Sequence, residues 1–192
     1  MNRSHRILNA ATESFVQCGY AASNMDDIAR KAGVPKPFLY VYFGSKHGLF
    51  RQVMERACEV TDRHLAAALA IQPVRPLADE VLALTSGVIQ FADTYPLTFR
   101  LVFSAPCGTH GLEQAQLARG AVMATIATRL DAVWSQSEKT LDAASFGVLT
   151  SAIALVELSA SDLMPCQDRV ARAFDLAMGW IEGCVAGEPS RI

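Results

Sequence analysis

The sequence predicts an all-α protein of about nine helices. Apolar residues recur three and four positions apart along most of the chain, as they do on one face of a helix. Glycine or proline separates these periodic stretches, and no stretch alternates apolar and polar residues as a half-buried strand does. Of the 192 residues, 51% are hydrophobic and 19% are charged, which is enough apolar surface for a folded core and excludes a disordered chain.

The first two helices are each ended by a glycine. One apolar stripe runs from Ser4 to Cys18, and Gly19 follows its last position. The second helix begins after Asn24, whose side chain is a good N-cap, and reaches Gly33. Glycine ends a helix readily because it adopts the left-handed conformation without steric cost.

The third helix opens at Pro35, a residue suited to the first helical turn, and ends by Gly44. Two helices joined by a short turn that contains glycine form a helix-turn-helix, whose second helix enters the major groove of DNA. This segment is the predicted centre of function. With the first helix it forms a small bundle, and its predicted core consists of Ile7, Leu8, Ala11, Phe15, Ile28, Ala32, Val34, Leu39, Phe43 and Leu49.

The fourth helix is predicted to be long, covering residues 46 to about 70, and Ser45 is its N-cap. The stretch 72–76 contains two prolines and ends it, because proline cannot continue a helix. The fifth helix covers residues 77–92, and a short, strongly apolar sixth helix opens at Pro96.

Three more helices complete the chain. A loop is predicted at residues 106–111, followed by a seventh helix from 112 to about 136. Asp142 caps the eighth helix, and the ninth covers residues 168 to about 185.

Charge is distributed unevenly along the chain. Residues 1–56 hold eight Lys and Arg and four acids, a net charge of +4, whereas the rest holds nine basic and fifteen acidic residues, a net charge of −6. A basic head on an acidic body suits phosphate binding by the head. Solvated surface charge placed by chance explains the same asymmetry, so charge alone does not decide the function.

Several function classes lack their sequence motifs. The five cysteines form no CxxC pair and have no histidine at zinc-site spacing. No nucleophile elbow, P-loop or dinucleotide fingerprint occurs, so we expect no enzyme, no metal site and no cofactor. The N-terminus lacks the apolar core of a signal peptide, and the most apolar stretch, 152–158, is too short for a membrane span. We therefore expect a cytoplasmic protein with no membrane partner.

The sequence resembles the TetR (tetracycline-repressor-like) family of bacterial transcription regulators. The resemblance covers about residues 4–50 in fixed order and without gaps. It is carried by Ile7-Leu8, Ala10-Ala11, Phe15, Gly19-Tyr20, Ile28-Ala29, Ala32-Gly33-Val34, Lys36, Leu39-Tyr40, Tyr42-Phe43, Ser45-Lys46 and Leu49.

The resemblance implies a helix-turn-helix DNA-binding domain at residues 1–48 and a helical effector-binding and dimerisation domain at residues 49–192. It further implies a homodimer that binds double-stranded DNA at a palindromic operator, usually as a repressor. A small-molecule effector in the body, expected to be hydrophobic or aromatic, would release the DNA. The alternative is a helical small-molecule-binding protein of the same fold whose DNA binding is weak or lost.

Eight residues of the head are candidates for DNA binding. Lys36 can contact a phosphate or a guanine edge, and Lys46 can contact a backbone phosphate. Ser23 and Asn24 either contact phosphate or only cap the second helix. The full candidate set is Ser23, Asn24, Lys36, Phe38, Tyr40, Val41, Tyr42 and Lys46.

The third helix departs from the family pattern at Pro35, Pro37, Phe38 and Val41, where small polar residues, glycine, threonine or basic residues are common. Two prolines in one turn remove two backbone N–H donors from the end that approaches DNA. Phe38 and Val41 cannot donate hydrogen bonds but can contact a thymine methyl. We therefore expect base reading by apolar contact and shape, with Lys36 as the main polar reader.

By the same resemblance, an effector pocket opens among helices five to eight. Its candidate lining residues are Phe91, Tyr95, Phe99, Arg100, Phe103, Met123, Trp134, Phe146 and Leu149, although each is also suited to an ordinary core. Arg100 is expected to pair with an anionic ligand or, preferably, with an internal acid such as Asp93 or Glu157.

The eighth and ninth helices have wide apolar faces rich in small residues. By resemblance they pair across a two-fold axis as a four-helix bundle, and such a dimer suits a palindromic site. The candidate interface residues are Leu155, Val156, Phe174, Ala177, Met178 and Ile181.

Overall fold

The computed structural model describes residues 3–67, 69, 76–104, 108–134, 138–158 and 165–186. Nine α-helices make up most of these residues. The all-α prediction is confirmed for these residues, which contain no strand. The helices are α1 (Arg3–Ala22), α2 (Met25–Ala32), α3 (Lys36–Phe43), α4 (Lys46–Thr61), α5 (Leu77–Thr94), α6 (Pro96–Phe99), α7 (Gly108–Asp131), α8 (Glu138–Leu158) and α9 (Cys166–Ala186).

Glycines at positive φ end the first three helical stretches, as the sequence predicts. Gly19, at φ 75°, interrupts α1, and a single helical turn follows it. Gly33 is left-handed at φ 63° and ψ 41°; its N–H donates to α2 carbonyls, and the N–H of Val34 donates to Ala29 O at 3.1 Å. This pair of bonds is the Schellman arrangement, which satisfies the last carbonyls of a helix.

The start of α4 is capped as predicted. Ser45 Oγ accepts a hydrogen bond of 3.0 Å from the N–H of Gly48, three residues on. Gly44, at φ 72°, ends α3, and its N–H donates to Tyr40 O at 2.8 Å. These caps fix the corner between α3 and α4 by bonds that are local in sequence.

Four predicted boundaries differ from the structure. Regular α4 ends at Thr61 and continues as a π-helical turn, Asp62–Ala66, while the predicted break at 72–76 lies mostly outside the described residues. α7 begins at Gly108, inside the predicted loop, and ends at Asp131 instead of near 136. α8 begins at Glu138, four residues before the predicted cap. Polar residues at the helix ends show no apolar periodicity, so the sequence predicts these boundaries poorly.

Two compact units divide the chain. Unit 1 comprises Met1–Thr61 and Tyr95–Arg119, and unit 2 comprises Asp62–Thr94 and Gly120–Ile192. The border expected between residues 48 and 49 thus falls inside unit 1. The reason is that α4 packs against α1. A later segment, which consists of α6 and the π-helical turn Arg100–Ser104, belongs to the same unit.

The core of unit 1 contains the predicted residues. Ile7, Ala11, Ile28, Leu39 and Leu49 are wholly buried, or nearly so, and only Val34 and Phe43 of the predicted set are half-buried. Burial of each such aliphatic side chain stabilises the fold by about 1.5–3 kcal/mol. Three rings, Phe15, Tyr20 and Phe50, pack together, with Phe15 and Phe50 edge-to-face at 5.0 Å.

Unit 2 packs α9 against α5 and α8. α8 and α9 approach closely at Gly147, where an added Cβ would lie 2.7 Å from Cβ of Trp180. A buried ion pair links α7 to α5: Arg129 Nε donates to Glu80 Oε1 at 2.6 Å and Nη2 to Oε2 at 2.9 Å. This two-point geometry compensates both charges where water is excluded.

By length and composition alone, α8 is apolar enough to cross a membrane, over the window Thr140–Glu157. This window is longer than the stretch 152–158 that the sequence singles out. One such helix is weak evidence of a membrane span, because the core helix of a globular protein passes the same test and 44% of this window is buried.

Candidate DNA interface

The surface of α3 presents four large side chains to solvent, which we call the reading face: Phe38, Tyr40, Val41 and Tyr42, exposed by 36%, 45%, 80% and 52%. Leu39, between them, is wholly buried and anchors the helix in the head core. Exposed apolar side chains grouped on one short helix are typical of a binding surface. All four were predicted from the sequence as DNA-binding candidates.

Aromatic packing orders one edge of the reading face. The rings of Phe38 and Tyr42, one turn apart, stack with centroids 6.4 Å apart. The guanidinium of Arg3, in the first turn of α1, lies 5.8 Å from the Phe38 centroid. This distance is within cation–π range, so α1 helps to orient Phe38.

Lys36 forms an ion pair with Asp26. Its Nζ donates to Asp26 Oδ2 at 2.9 Å, and both side chains are about half exposed. The hydrogen bond to Asp26 raises the pKa of Lys36, so the lysine stays charged well above neutral pH. The predicted polar reader is therefore about half exposed and already paired with Asp26. Its contact with DNA stays a prediction.

The first turn of α3 offers few donors to an anion. Pro35 is the N-cap and Pro37 the second helical residue, so between them only Lys36 has a backbone N–H. The N–H of Phe38 donates to Pro35 O at 3.0 Å. The start of α3 therefore has few backbone donors to offer a phosphate.

Lys46 has a structural role that the sequence did not reveal. Its Nζ donates to Ala21 O at 3.0 Å and lies 4.9 Å from the centroid of the Tyr20 ring. The side chain thereby ties the start of α4 to the end of α1. Contact of Lys46 with a phosphate remains a prediction.

Ser23 and Asn24 have different roles. Ser23 is buried, and its Oγ donates to Gly19 O at 2.6 Å and to Ser14 O at 3.1 Å, so its hydroxyl closes the turn after α1 and does not cap α2. Contact of Ser23 with a phosphate stays a prediction. Asn24 is exposed and caps α2, since its Oδ1 accepts from the N–H of Asp26 at 3.0 Å.

Other charged groups of the head are tied locally. Arg30 pairs with Asp27 on α2, and Lys31 Nζ lies 3.6 Å from Glu13 Oε2 on α1. Among the residues the structure describes, no group of three His, Cys, Asp or Glu side chains is arranged to hold a metal ion.

The predicted effector-pocket residues fall in both units. Tyr95, Phe99, Arg100 and Phe103 belong to unit 1; the other five belong to unit 2. Four are buried as core residues, namely Phe91, Phe99, Phe103 and Leu149, and three are half-buried, namely Tyr95, Met123 and Trp134. Phe146 is 53% exposed and lies against Trp180 on the surface of α8 and α9, so it does not suit an internal pocket.

The expected internal pair of Arg100 with Asp93 is wrong. Arg100 is exposed, and the guanidinium that binds both oxygens of Asp93, at 2.8 and 2.7 Å, is that of Arg169 on α9. Asp93 raises the pKa of Arg169 by this hydrogen bonding. Glu157 is exposed, so it is not an internal acid either.

Three of the six predicted dimer residues are already buried within unit 2: Leu155, Ala177 and Ile181. They fill its core, so a place for them in a dimer interface stays a prediction. Val156, Phe174 and Met178 are half-buried. The sequence missed an apolar stripe on the other side of these helices, formed by Phe146, Leu176 and Trp180, of which Phe146 and Leu176 are about half exposed.

Known proteins resemble this chain in sequence and in fold. The model of the family described as bacterial regulatory proteins, tetR family, matches residues 7–53, which contain α2, α3 and the reading face. The Bacillus subtilis HTH-type transcriptional regulator YhgD is 30% identical over 115 residues, 59% of either chain. A TetR-like regulator from Rhodococcus sp. RHA1 shares the fold over 97% of both chains, with a TM-score of 0.73 and 24% identity. The head of the chain, residues 7–53, therefore matches the TetR family.

The matching family model and the curated relatives describe transcriptional regulators, which are not enzymes, in agreement with the expectation that this chain is not an enzyme. A structure of FadR from Bacillus subtilis in complex with stearoyl-CoA covers 95% of this chain and 98% of its own, with a TM-score of 0.64 and 14% identity. That likeness shows the fold alone.

Proposed function

We propose that this TetR-family protein is a DNA-binding transcriptional regulator that reads an operator with the reading face of α3. The observation that carries the proposal is the exposure of Phe38, Tyr40, Val41 and Tyr42 on a helix fixed by the wholly buried Leu39. Such a helix presents side chains to base edges without having to unfold or reorient first. Tyr40 and Tyr42 supply hydroxyl groups for phosphates, and Val41 supplies an apolar contact for a thymine methyl.

The proposed regulator acts as a homodimer. The apolar stripe of Phe146, Leu176 and Trp180 supports this. Covering exposed apolar side chains with a second copy removes them from water and lowers the free energy. A two-fold axis there makes the same patch meet itself. Two heads then reach a palindromic operator in major grooves about 34–36 Å apart or a multiple of that distance.

The proposed direction of control is repression, relieved by a small hydrophobic effector. A curated relative of Streptomyces coelicolor that is described as a transcriptional repressor supports repression, and the abundance of buried aromatic and aliphatic groups supports an apolar effector. The stearoyl-CoA held by FadR is an example of an apolar chain bound in this fold. A cytoplasmic location follows from this role.

Selection from random DNA tests the proposal. The full-length protein is used to enrich a pool of random duplexes, and the bound fraction is sequenced over successive rounds. We expect a palindromic motif in which each half-site contains at least one thymine. Enrichment of no motif, or of a motif without two-fold symmetry, contradicts the proposal.

A matched variant identifies the reading face as the cause. Val41→Ser keeps the helix and removes an apolar side chain that is 80% exposed, so it is expected to alter the motif without unfolding the head. Gln52→Ala, at an exposed position of α4, serves as the control and is expected to return the wild-type motif.

A further inference from the structure

A cavity of about 320 Å³ lies in unit 1, and no residue of the reading face lines it. Three elements line it: α1, α4, and the segment at the start of α6. Its volume is at the small end of the range for ligand pockets, roughly 300–1,000 Å³. Of the nine predicted pocket residues, Tyr95 is the one that lines it.

One wall of the cavity is apolar. Val53, Ala57 and Val60 contribute it from α4, and Leu97 from α6. Val53 and Ala57 are buried residues of the unit 1 core, so this wall is fixed. Transfer of a hydrocarbon group of matching size from water to this wall is favourable.

Arg56 contributes the one cation among the residues that line the cavity. Its Nη1 donates to Oδ1 of Asn9 at 2.9 Å in a part-buried setting. Asn9 holds the guanidinium in place, but its amide is neutral and does not compensate the charge. An arginine has five N–H donors in a planar fork, so one bond to Asn9 leaves donors suited to a carboxylate.

One acid, Glu13, also lines the cavity and has a cation of its own nearby. Glu13 Oε2 lies 3.6 Å from Nζ of Lys31, so a second cation stands beside that carboxylate. Thr12 donates its hydroxyl to Leu8 O at 2.8 Å and keeps its oxygen as an acceptor. The lining therefore combines an apolar wall, neutral polar groups and a guanidinium in reach of an anion.

We propose that this cavity binds a compact monocarboxylic acid with an apolar body. The carboxylate accepts two hydrogen bonds from Arg56, and the apolar body lies against Val53, Ala57 and Val60. A ligand held in this way contacts α1 and α4 together. Binding is measured without DNA, so the result does not depend on the proposed function.

The test uses benzoate as the probe and benzamide as a neutral molecule of nearly the same shape, titrated into the full-length protein by ligand-observed NMR. We expect benzoate to bind about tenfold more tightly than benzamide, because charge-assisted hydrogen bonds are roughly twice as strong as neutral ones. Equal affinities, or no benzoate binding up to about 10 mM, would overturn the proposal.

Three variants place the bound probe. Arg56→Gln, which keeps a polar side chain beside Asn9, is expected to weaken benzoate binding by about tenfold and to change benzamide binding little. Val60→Phe fills the cavity and is expected to block both molecules. Arg51→Gln, an exposed position of the same helix, is the control and should leave the benzoate affinity within about twofold. Benzoate binding unchanged in Arg56→Gln and Val60→Phe would place the probe elsewhere and overturn the proposal.

Discussion

Gly48, in the first turn of α4, lies directly against the last carbonyl of α3: a Cβ added to Gly48 would lie 2.0 Å from the Phe43 oxygen. No real Cβ tolerates such a distance, so the backbone at this corner has to shift if the glycine is replaced. The contact sets how closely α4 follows the helix that carries the reading face.

Gly48→Ala is therefore expected to destabilise the protein by about 1–3 kcal/mol, even though alanine is the better helix former. Chemical denaturation measures the change in the free energy of unfolding. Gly120→Ala is the matched control, since Gly120 is also helical and a Cβ there meets nothing within 4 Å. It should leave stability unchanged or raise it by up to about 1 kcal/mol. Equal effects of the two substitutions would contradict this account of the corner.

Asp26→Asn is expected to strengthen DNA binding. The substitution removes an acid from the DNA-facing side of the head and releases Lys36, whose Nζ lies 2.9 Å from that carboxylate. We expect about a three- to tenfold higher affinity at low salt and a salt dependence steeper by about one phosphate contact. Fluorescence anisotropy with a labelled operator duplex measures both.

Lys36→Ala is expected to have the opposite effect to Asp26→Asn: it should weaken DNA binding and make the affinity less dependent on salt. Glu55→Gln on α4, whose partner is Arg51, is the control for loss of an exposed acid. If Asp26→Asn weakened binding as much as Lys36→Ala, the acid would position the lysine and would not compete with DNA.

Val41 is expected to contact a thymine methyl in the operator. Replacing each operator thymine by uracil removes one methyl group and nothing else. At one position in each half-site, the replacement should lower the affinity of the wild-type protein about fourfold. This factor corresponds to the loss of one buried methyl group, which is worth about 0.8 kcal/mol. Val41→Ser should be insensitive to the same replacement, and Gln52→Ala should respond as the wild type does. A wild-type affinity that no uracil changes would refute apolar reading.

The apolar stripe of α8 and α9 is expected to hold the dimer together. Phe146→Glu and Leu176→Glu each place a charge on a side chain that is about half exposed in one chain, so the monomer should fold and the dimer should dissociate. Size-exclusion chromatography with light scattering gives the mass. Leu117→Glu, at a leucine that is 68% exposed on α7, is the control and should remain dimeric. A dimer that survives both stripe substitutions would place the interface elsewhere.

Local signals in the sequence predicted the helices of the head well. Gly19, Gly33 and Gly44 all have positive φ, and Ser45 caps α4, because these features depend on residues a few positions apart. The four side chains of the reading face were also predicted from the sequence as DNA-binding candidates, and all four are exposed.

Contacts between helices could not be predicted in the same way. The hydrogen bonds of Ser23 to Ser14 and of Lys46 to Ala21 join residues on different elements, and no pattern in the local sequence predicts them. The burial of the predicted interface residues on α8 and α9 was not predictable for a related reason. Both helices are apolar on more than one side, and periodicity does not tell which side the chain covers itself.

The most direct test of the central claim is a titration of the full-length protein with the DNA that flanks its own gene, repeated over a range of salt concentrations. The proposed regulator should bind one duplex far more tightly than a scrambled duplex of equal length. Its affinity should fall steeply as salt rises, with a slope of about −0.9 for each phosphate contacted. Binding that does not discriminate between the two duplexes even at low salt would contradict the account and favour a helical carrier of small molecules.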